Sequence, residues 1–202
     1  MGSQALPADL LRTISREEIN GLPIRRYEGQ VRLVASTEDL DRAMEDIRAE
    51  RVLGFDTETR PAFRKGEHHL PCLVQAATAR AVYLFPLQRM DCSAAVAEFL
   101  AARETVKIGV SLAHDLRELK LVFPLEEASM LDAGAIAQRS GLEQTGLRNL
   151  AALFLGFRIP KGNRTSNWAA RHLSAAQIAY AATDAWVCRE LYLRFEELGL
   201  LH

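Results

Sequence analysis

Alternating apolar runs and amphipathic segments predict a mixed α/β domain. Short apolar runs predict strands at residues 32–35, 52–58, 72–77, 81–85 and 106–110. The run that begins at Val52 is continuously apolar as far as Phe55, which is typical of a strand buried on both faces of a sheet. The third and fourth runs are close enough in the chain to form a hairpin.

Helical patterns are interleaved with these strands and dominate the second half of the chain. Helices are predicted after Ser15, after Ser36, from about Asp91, and at residues 114–122, 130–139, 146–155 and 174–198. Ser15 with Glu18 and Ser174 with Gln177 have the spacing of capping boxes, which satisfy backbone N–H groups at the start of a helix. This alternation predicts one sheet with helices on its faces.

Two acids stand at the end of the most apolar predicted strand. Asp56 and Glu58 are two residues apart, so their side chains leave the same face of the strand, while Thr57 points to the other. Burying an unpaired carboxylate is costly, and no base lies within the strand to pair with either acid. The two acids are therefore expected to be hydrated, paired with residues from elsewhere, or bound to a metal ion. An Asp-x-Glu triplet alone is equally compatible with a structural role.

Further candidates for chemistry lie on two predicted helices. Tyr180 and Asp184 are four residues apart in the longest one, about one turn from each other, among alanines that allow a neighbour to approach closely. Asp115 stands near the start of another helix, where an acid also interacts favourably with the helix dipole. Taken singly, Tyr180 can be a core aromatic and the acids structural or surface residues. Together with the strand acids, they offer hard oxygen ligands for Mg²⁺ or Mn²⁺, which commonly serve phosphoryl chemistry.

Three ordered motifs connect these residues to a known family. They are Phe55-Asp56-Thr57-Glu58-Thr59, Lys107-Ile108-Gly109 with Asp115, and Tyr180-Ala181-Ala182-Thr183-Asp184-Ala185. Between them stand Leu73-Val74-Gln75, Gly146-Leu147 with Asn149-Leu150-Ala151, and Ser166-Asn167-Trp168. From about residue 32 to residue 198, the chain resembles the tyrosine-type DEDD 3′–5′ exonucleases, which include ribonuclease D and the exonuclease domain of the Werner syndrome protein. The resemblance implies a ribonuclease H-like fold, a mixed five-stranded sheet flanked by helices.

The resemblance also implies a role for each matching residue. Asp56, Glu58 and Asp184 would bind one divalent cation, Mg²⁺ or Mn²⁺. Asp56 would bridge to a second cation, which Asp115 would support through water. Tyr180 would orient the attacking water or help to deprotonate it. Such a two-metal-ion site would release 5′-mononucleotides from the 3′ end of RNA or single-stranded DNA.

The chain departs from the family's pattern in three respects. Ser111 stands where Asn is usual, four residues before Asp115, which leaves a substrate contact there open. The helical domains that follow the nuclease domain of ribonuclease D are not expected in this chain. Residues 1–30 lie outside the resemblance, so they are predicted to be an N-terminal extension of unknown role that precedes an exonuclease domain at residues 31–202.

Net charge does not by itself indicate a partner. The 202 residues include 25 Lys and Arg against 26 Asp and Glu, a formal charge of −1, which lacks the basic excess of dedicated nucleic-acid binders. An enzyme that degrades a strand from its end needs only local contacts to phosphates and bases. Basic residues cluster at residues 60–65 and 158–171, although either cluster can be a solvated loop. The candidate substrate contacts are Thr57, Ser111, Lys161, Arg164 and Trp168, of which Trp168 can also be a packing anchor.

The remaining features exclude other classes. The three scattered cysteines argue against a disulfide framework or a cysteine zinc site and favour a reducing compartment, so we expect the cytoplasm. No apolar stretch approaches the ~20 residues of a membrane helix, and no Gly-rich phosphate loop stands in the sequence. We therefore expect a metal-dependent 3′–5′ exonuclease. A non-catalytic nucleic-acid-binding protein on the same fold and a phosphodiesterase for very short oligonucleotides are the alternatives.

Overall fold

A six-stranded mixed sheet forms the centre of the computed structural model, which describes residues 10, 13–162 and 165–201. The strands are β1 Gln30–Leu33, β2 Val52–Thr59, β3 Pro71–Ala77, β4 Ala81–Pro86, β5 Val106–Gly109 and β6 Met130–Asp132. Their order in the sheet is β1-β4-β3-β2-β5-β6. β3 runs antiparallel to both β2 and β4, whereas the other neighbours are parallel. The α/β class, the mixed sheet and the predicted hairpin of β3 and β4 are confirmed.

Seven α-helices and one π-helical turn flank the sheet in the described part of the chain. The helices are α1 Arg16–Gly21, α2 Thr37–Arg48, α3 Ser93–Ala101, α4 Leu112–Val122, α5 Ala133–Arg139, α6 Leu147–Leu150 and α7 Ala175–Glu197, and the π-helical turn Ala151–Leu155 follows α6. Both predicted capping boxes are present, at the starts of α1 and α7. None of these helices combines the length and the hydropathy that crossing a bilayer requires.

The sheet has one strand more than expected. Residues 130–139 are predicted as a single helix, but the structure divides them into β6 and α5. The side chain of Asp132 accepts a hydrogen bond from the backbone N–H of Ala135 at 3.1 Å and so begins α5 as its N-cap. Met130 and Leu131 are then available to pair with β5. The strand has only three residues and runs directly into a helix. Its pattern of apolar residues is therefore too short to distinguish a strand from the helix that follows.

The faces of the sheet decide where each side chain of β2 points. α2, α3 and α4 pack on one face, where Leu53 and Phe55 belong to the apolar core. α7 covers the other face together with α5, α6 and the π-helical turn. Because side chains alternate along a strand, Thr57 lies on the α4 side, and Asp56 and Glu58 lie on the α7 side.

Candidate active site

Two carboxylates of β2 and one of α7 come together at the carboxyl end of β2. One carboxylate oxygen from each of Asp56, Glu58 and Asp184 lies within 4.8 Å of those of the other two. Asp56 is partly exposed, whereas Glu58 and Asp184 are buried. Strand alternation and helical spacing therefore bring three of the four predicted metal ligands into one cluster, which is called the acidic centre below.

Small residues let α7 approach β2 closely enough to form the acidic centre. A methyl group at Gly54 would lie only 1.9 Å from the carbonyl oxygen of Ala185, so the backbones of the strand and the helix are in direct contact. Ala181, Ala182 and Ala185 are fully buried in this interface. Gly in a strand commonly marks such a close approach of another backbone. Because Asp184 precedes Ala185 directly, this contact sets the distance between its carboxylate and β2.

Tyr180 lies one turn before Asp184, and its hydroxyl is close enough to the Asp184 carboxylate for each group to shift the pKa of the other. Burial raises the pKa of the Tyr180 phenol, and the negative charges of Asp184 and Glu58 raise it further. The phenol therefore stays protonated and can donate a hydrogen bond. The ring of Trp168 lies 6.0 Å from that of Tyr180, centroid to centroid, and is 2% exposed. Of the two roles predicted for Trp168, its burial against Tyr180 therefore favours the packing anchor over a substrate contact.

Asp115 approaches the acidic centre from the other side of the sheet without belonging to the cluster. α4 follows β5, which is parallel to β2, so α4 begins at the edge where β2 ends. Burial raises the pKa of the Asp115 carboxyl, while the nearby Thr57 hydroxyl lowers it. The charge of Asp115 in turn raises the pKa of Asp56. These two acids are therefore electrostatic neighbours, with Asp115 outside the three-carboxylate cluster.

The electrostatics of the acidic centre fit a hard divalent cation. Burial raises the pKa of Asp56 well above its usual range, and the charges of Asp184 and Asp115 add to this effect. Burial also raises the pKa of Asp184 to about 7, against the opposing effects of the nearby Tyr180 hydroxyl and the Arg148 charge. A bound cation inverts this balance because it stabilises the ionised form of every carboxylate around it. Carboxylate oxygens are the ligands that Mg²⁺ prefers.

The other predicted substrate contacts are distributed around this centre. Thr57 is buried on the α4 side, where its hydroxyl lacks a hydrogen bond of normal geometry within the described chain. Ser111 is exposed immediately before α4 and has a left-handed backbone, with φ at 61°. Asn is enriched in that conformation, which gives a backbone reason for the Asn usual in the family. Lys161 lines two cavities that reach the acidic centre. Arg164 lies outside the described residues.

Three further residues near the site are not among the site residues that the sequence predicts. Gln75 pairs with Asp56 across the sheet and is fully buried, with neither amide atom hydrogen-bonded in the described chain. Asp132 accepts a hydrogen bond from the backbone N–H of Leu112 at 3.0 Å and so ties the start of α4 to β6. Arg148 acts electrostatically on the nearby acidic centre. A polar residue within an apolar run was a usable signal for Gln75, whereas the other two depend on tertiary contacts.

Comparison with known proteins gives one consistent answer. A family model described as 3′–5′ exonuclease matches residues 31–199. Ribonuclease D from Gluconacetobacter diazotrophicus is 34% identical over 164 residues, which cover 79% of this chain and 41% of that protein. The crystal structure of the Aedes aegypti Nibbler EXO domain is 25% identical and superposes with a TM-score of 0.76, covering 87% of this chain and 91% of that one.

A solved complex shares the same fold. Trypanosoma brucei RNase D in complex with RNA U12 is 20% identical and superposes with a TM-score of 0.73, covering 83% of this chain and 62% of that one. The chain spans about two fifths of the length of three ribonuclease D sequences that it matches. The similarity therefore covers only part of those longer proteins.

Proposed function

This chain belongs to the 3′–5′ exonuclease family, and we propose that it shortens RNA or single-stranded DNA from the 3′ end with two divalent cations, Mg²⁺ or Mn²⁺. The products would be 5′-mononucleotides. The observation that carries the proposal is the acidic centre, where carboxylate oxygens from β2 and α7 lie within 4.8 Å of one another. Such closely spaced, buried acids are costly in a protein unless a cation or another group compensates their charge.

The proposed ligand roles are those that the family resemblance implies, and the positions of the acids support them. Asp56, Glu58 and Asp184 would hold one cation, and Asp56 would bridge to a second. Asp115 would support the second through water, in keeping with its place outside the three-carboxylate cluster. In phosphodiester hydrolysis, a pair of cations activates the attacking water and stabilises the leaving oxygen. The chain itself contributes a fixed arrangement of acids, because β2 and α7 are packed backbone to backbone at Gly54.

Tyr180 would orient the attacking water. Its phenol is close to the Asp184 carboxylate and has a raised pKa, so a role as a protonated positioning group is favoured over a role as a general base. Trp168 packs against the same ring and would restrict its rotation. The proposal thus assigns geometry to Tyr180 and leaves the activation of water to the cations.

Two further assignments are part of the proposal. Residues 31–202 would form the catalytic domain, and residues 1–30 would be an extension of it. The described portion of that extension already packs on the domain, since Ile14 and Ile19 are buried in the same apolar cluster as α7 residues such as Leu191. A cytoplasmic location stays a prediction from the cysteine pattern.

The proposal is tested with 5′-labelled single-stranded RNA and DNA of the same sequence. With Mg²⁺ or Mn²⁺, the wild-type protein should produce a ladder that shortens from the 3′ end, and EDTA should stop it. Asp56→Asn should be inactive, because it removes a ligand shared by both cations. Running both sugars in parallel measures the preference between RNA and DNA, which depends on contacts to the 2′-OH.

Three outcomes would contradict the proposal. Equal activity of wild type and Asp56→Asn would show that the acidic centre is not the active site. Strand binding without metal-dependent turnover would support a non-catalytic nucleic-acid-binding protein. Hydrolysis of dinucleotides alone, with longer strands untouched, would identify a phosphodiesterase for very short oligonucleotides.

A further inference from the structure

The N-terminal segment outside the family match is firmly attached beside the active site. The backbone N–H of Ile14 donates to the side-chain oxygen of Gln144 at 2.7 Å, and the side-chain nitrogen of Gln144 donates back to the carbonyl oxygen of Ile14 at 3.2 Å. The side chain of Arg158 donates to the carbonyl oxygen of Leu22 at 3.1 Å. The segment is thus fixed on both sides of α1. Residues 13–22 are called the N-terminal wall below.

An open groove of about 810 Å³ runs between the N-terminal wall and α6 and reaches the acidic centre. Arg16 and Asn20 of the wall line it, as do Arg148 of α6 and Lys161. Tyr180 and Asp184 also line it, and the groove is therefore continuous with the site where the reaction is proposed to occur.

The charge of this groove is complementary to a nucleic-acid backbone. Among its described lining residues, Arg16, Arg148 and Lys161 are basic, and Asp184 of the acidic centre is the acid. The side-chain amides of Asn20 and Asn149 add hydrogen-bond donors to those of the basic side chains. Arg, Lys and Asn are common contacts to phosphate oxygens, which position a strand without reading its sequence.

We propose that the N-terminal wall binds the backbone of the nucleotides that precede the 3′-terminal one. This inference rests on the proposed function, because a strand whose 3′ end lies at the acidic centre must leave through a connected surface. Arg16 contacts a phosphate of the departing strand in this arrangement, opposite the contacts made by α6. The extension therefore contributes to strand capture in a chain whose formal net charge is only −1.

The inference makes binding depend on strand length and salt. A dinucleotide has one phosphodiester, the bond that would be cleaved at the acidic centre, and so offers the N-terminal wall no further phosphate, whereas a longer strand does. Each phosphate contact to a single strand contributes about 0.7 to the slope of log K against log salt concentration. Arg16→Ala should therefore raise the Kd for a 12-nucleotide strand several-fold and reduce that slope by about 0.7.

The test measures binding by fluorescence anisotropy at several salt concentrations, in an Asp56→Asn background that prevents turnover. Arg42→Ala is the matched control, since Arg42 is an exposed arginine of α2 on the opposite face of the sheet. Arg16 is also exposed, so both variants should fold with unchanged melting temperatures. The same two substitutions in the active protein are then compared for hydrolysis of dinucleotides and of 12-nucleotide strands.

The inference predicts that Arg16→Ala weakens binding and turnover of the long strand while dinucleotide hydrolysis and the Arg42→Ala control stay unchanged. An identical Kd and salt slope for Arg16→Ala and Arg42→Ala would overturn it. Failure of the proposed function is a separate result, namely that the active protein hydrolyses neither substrate. A Kd that still depended on Arg16 in that case would support the wall as a strand-binding surface.

Discussion

The acidic centre and the basic groove beside it are built in different ways. The acidic centre lies on the longest strand and the longest helix of the described chain, and two of its three carboxylates are buried. The groove takes its basic residues from two short helices, α1 and α6, and from the loop at Lys161. Catalysis requires fixed geometry, whereas the phosphate backbone of a nucleic acid can be bound by charge alone. Substitutions in the acidic centre should therefore abolish activity, and those in the groove should weaken it gradually.

Asp56→Asn should have the largest effect and would define the acidic centre as the catalytic region. We expect kcat to fall by at least ~10³-fold, about 4 kcal/mol of transition-state stabilisation, because a shared cation ligand is lost. Asp41→Asn, at an exposed position of α2, is the control and should leave kcat unchanged. The measurement is single-turnover hydrolysis of a labelled strand. A loss of less than tenfold would mean that Asp56 is not a ligand.

Gly54→Ala should reduce kcat almost as much as Asp56→Asn, although it alters no side chain of the acidic centre. The new methyl group would lie 1.9 Å from the carbonyl oxygen of Ala185, so α7 must move away from β2 and carry Asp184 with it. We expect a loss of about 2 kcal/mol in the free energy of unfolding, typical of overpacking, and a large fall in kcat.

Gly21→Ala is the control for the glycine substitution. Apart from its chain neighbours and the backbone of its own helix, nothing lies within 4 Å of the methyl group that it would add, so its melting temperature should not fall below that of the wild type. Thermal unfolding and hydrolysis rates are measured on both variants. Normal activity of Gly54→Ala would show that the close approach of the two backbones does not set the geometry of the acidic centre.

Tyr180→Phe should have an intermediate effect. It removes the hydroxyl that lies close to the Asp184 carboxylate but keeps the ring that packs on Trp168. We expect kcat to fall by about 10²-fold, as for loss of a group that positions or moves a proton, while KM and the melting temperature change little. Steady-state kinetics check this. A change in KM alone would show that Tyr180 acts in binding of the nucleic-acid strand, like the residues of the groove, and not in catalysis.

The smallest effect is expected in the pH dependence of stability without metal. Because burial raises the pKa of Asp184 to about 7 in the folded protein, the folded state binds more protons than the unfolded state between about pH 4 and that value. This contribution to stability is therefore complete at low pH and is lost as the pH rises towards 7. In EDTA, the melting temperature of the wild type should fall over this window relative to that of Asp184→Asn.

Divalent cations should reverse this loss. Mg²⁺ or Mn²⁺ binds the folded state and raises its stability by mass action, so the melting temperature at pH 7 should rise with added cation. The rise should be absent or much smaller in Asp184→Asn. Parallel pH curves for the two proteins in EDTA would contradict the electrostatic description of the acidic centre.

The contrast between the acidic centre and the groove also explains which residues could be predicted from the sequence. Asp56, Glu58 and Asp184 could be found because strand and helix periodicity places them, and because the motifs around them are ordered along the chain. Gly54 was within reach, since Gly in a buried strand signals close packing. β6 was missed because three residues that run directly into a helix leave no period to detect.

Tertiary contacts account for the remaining differences. Trp168 stands in a basic segment that suggested a surface, but its ring packs under Tyr180. Arg16 carries no signal of its own, since only the docking of Ile14 and Ile19 into the core places it at the groove. The positions of such short, irregular segments are set by their contacts with the folded domain. Their local sequence patterns do not specify those positions.

The central claim is that β2 and α7 together form a divalent cation site. An anomalous difference map from crystals soaked in Mn²⁺ tests it most directly. The account predicts a peak coordinated by Asp56, Glu58 and Asp184 in the wild type, and its loss in Asp184→Asn. Mn²⁺ bound only at other residues, or an unchanged peak in Asp184→Asn, would contradict it.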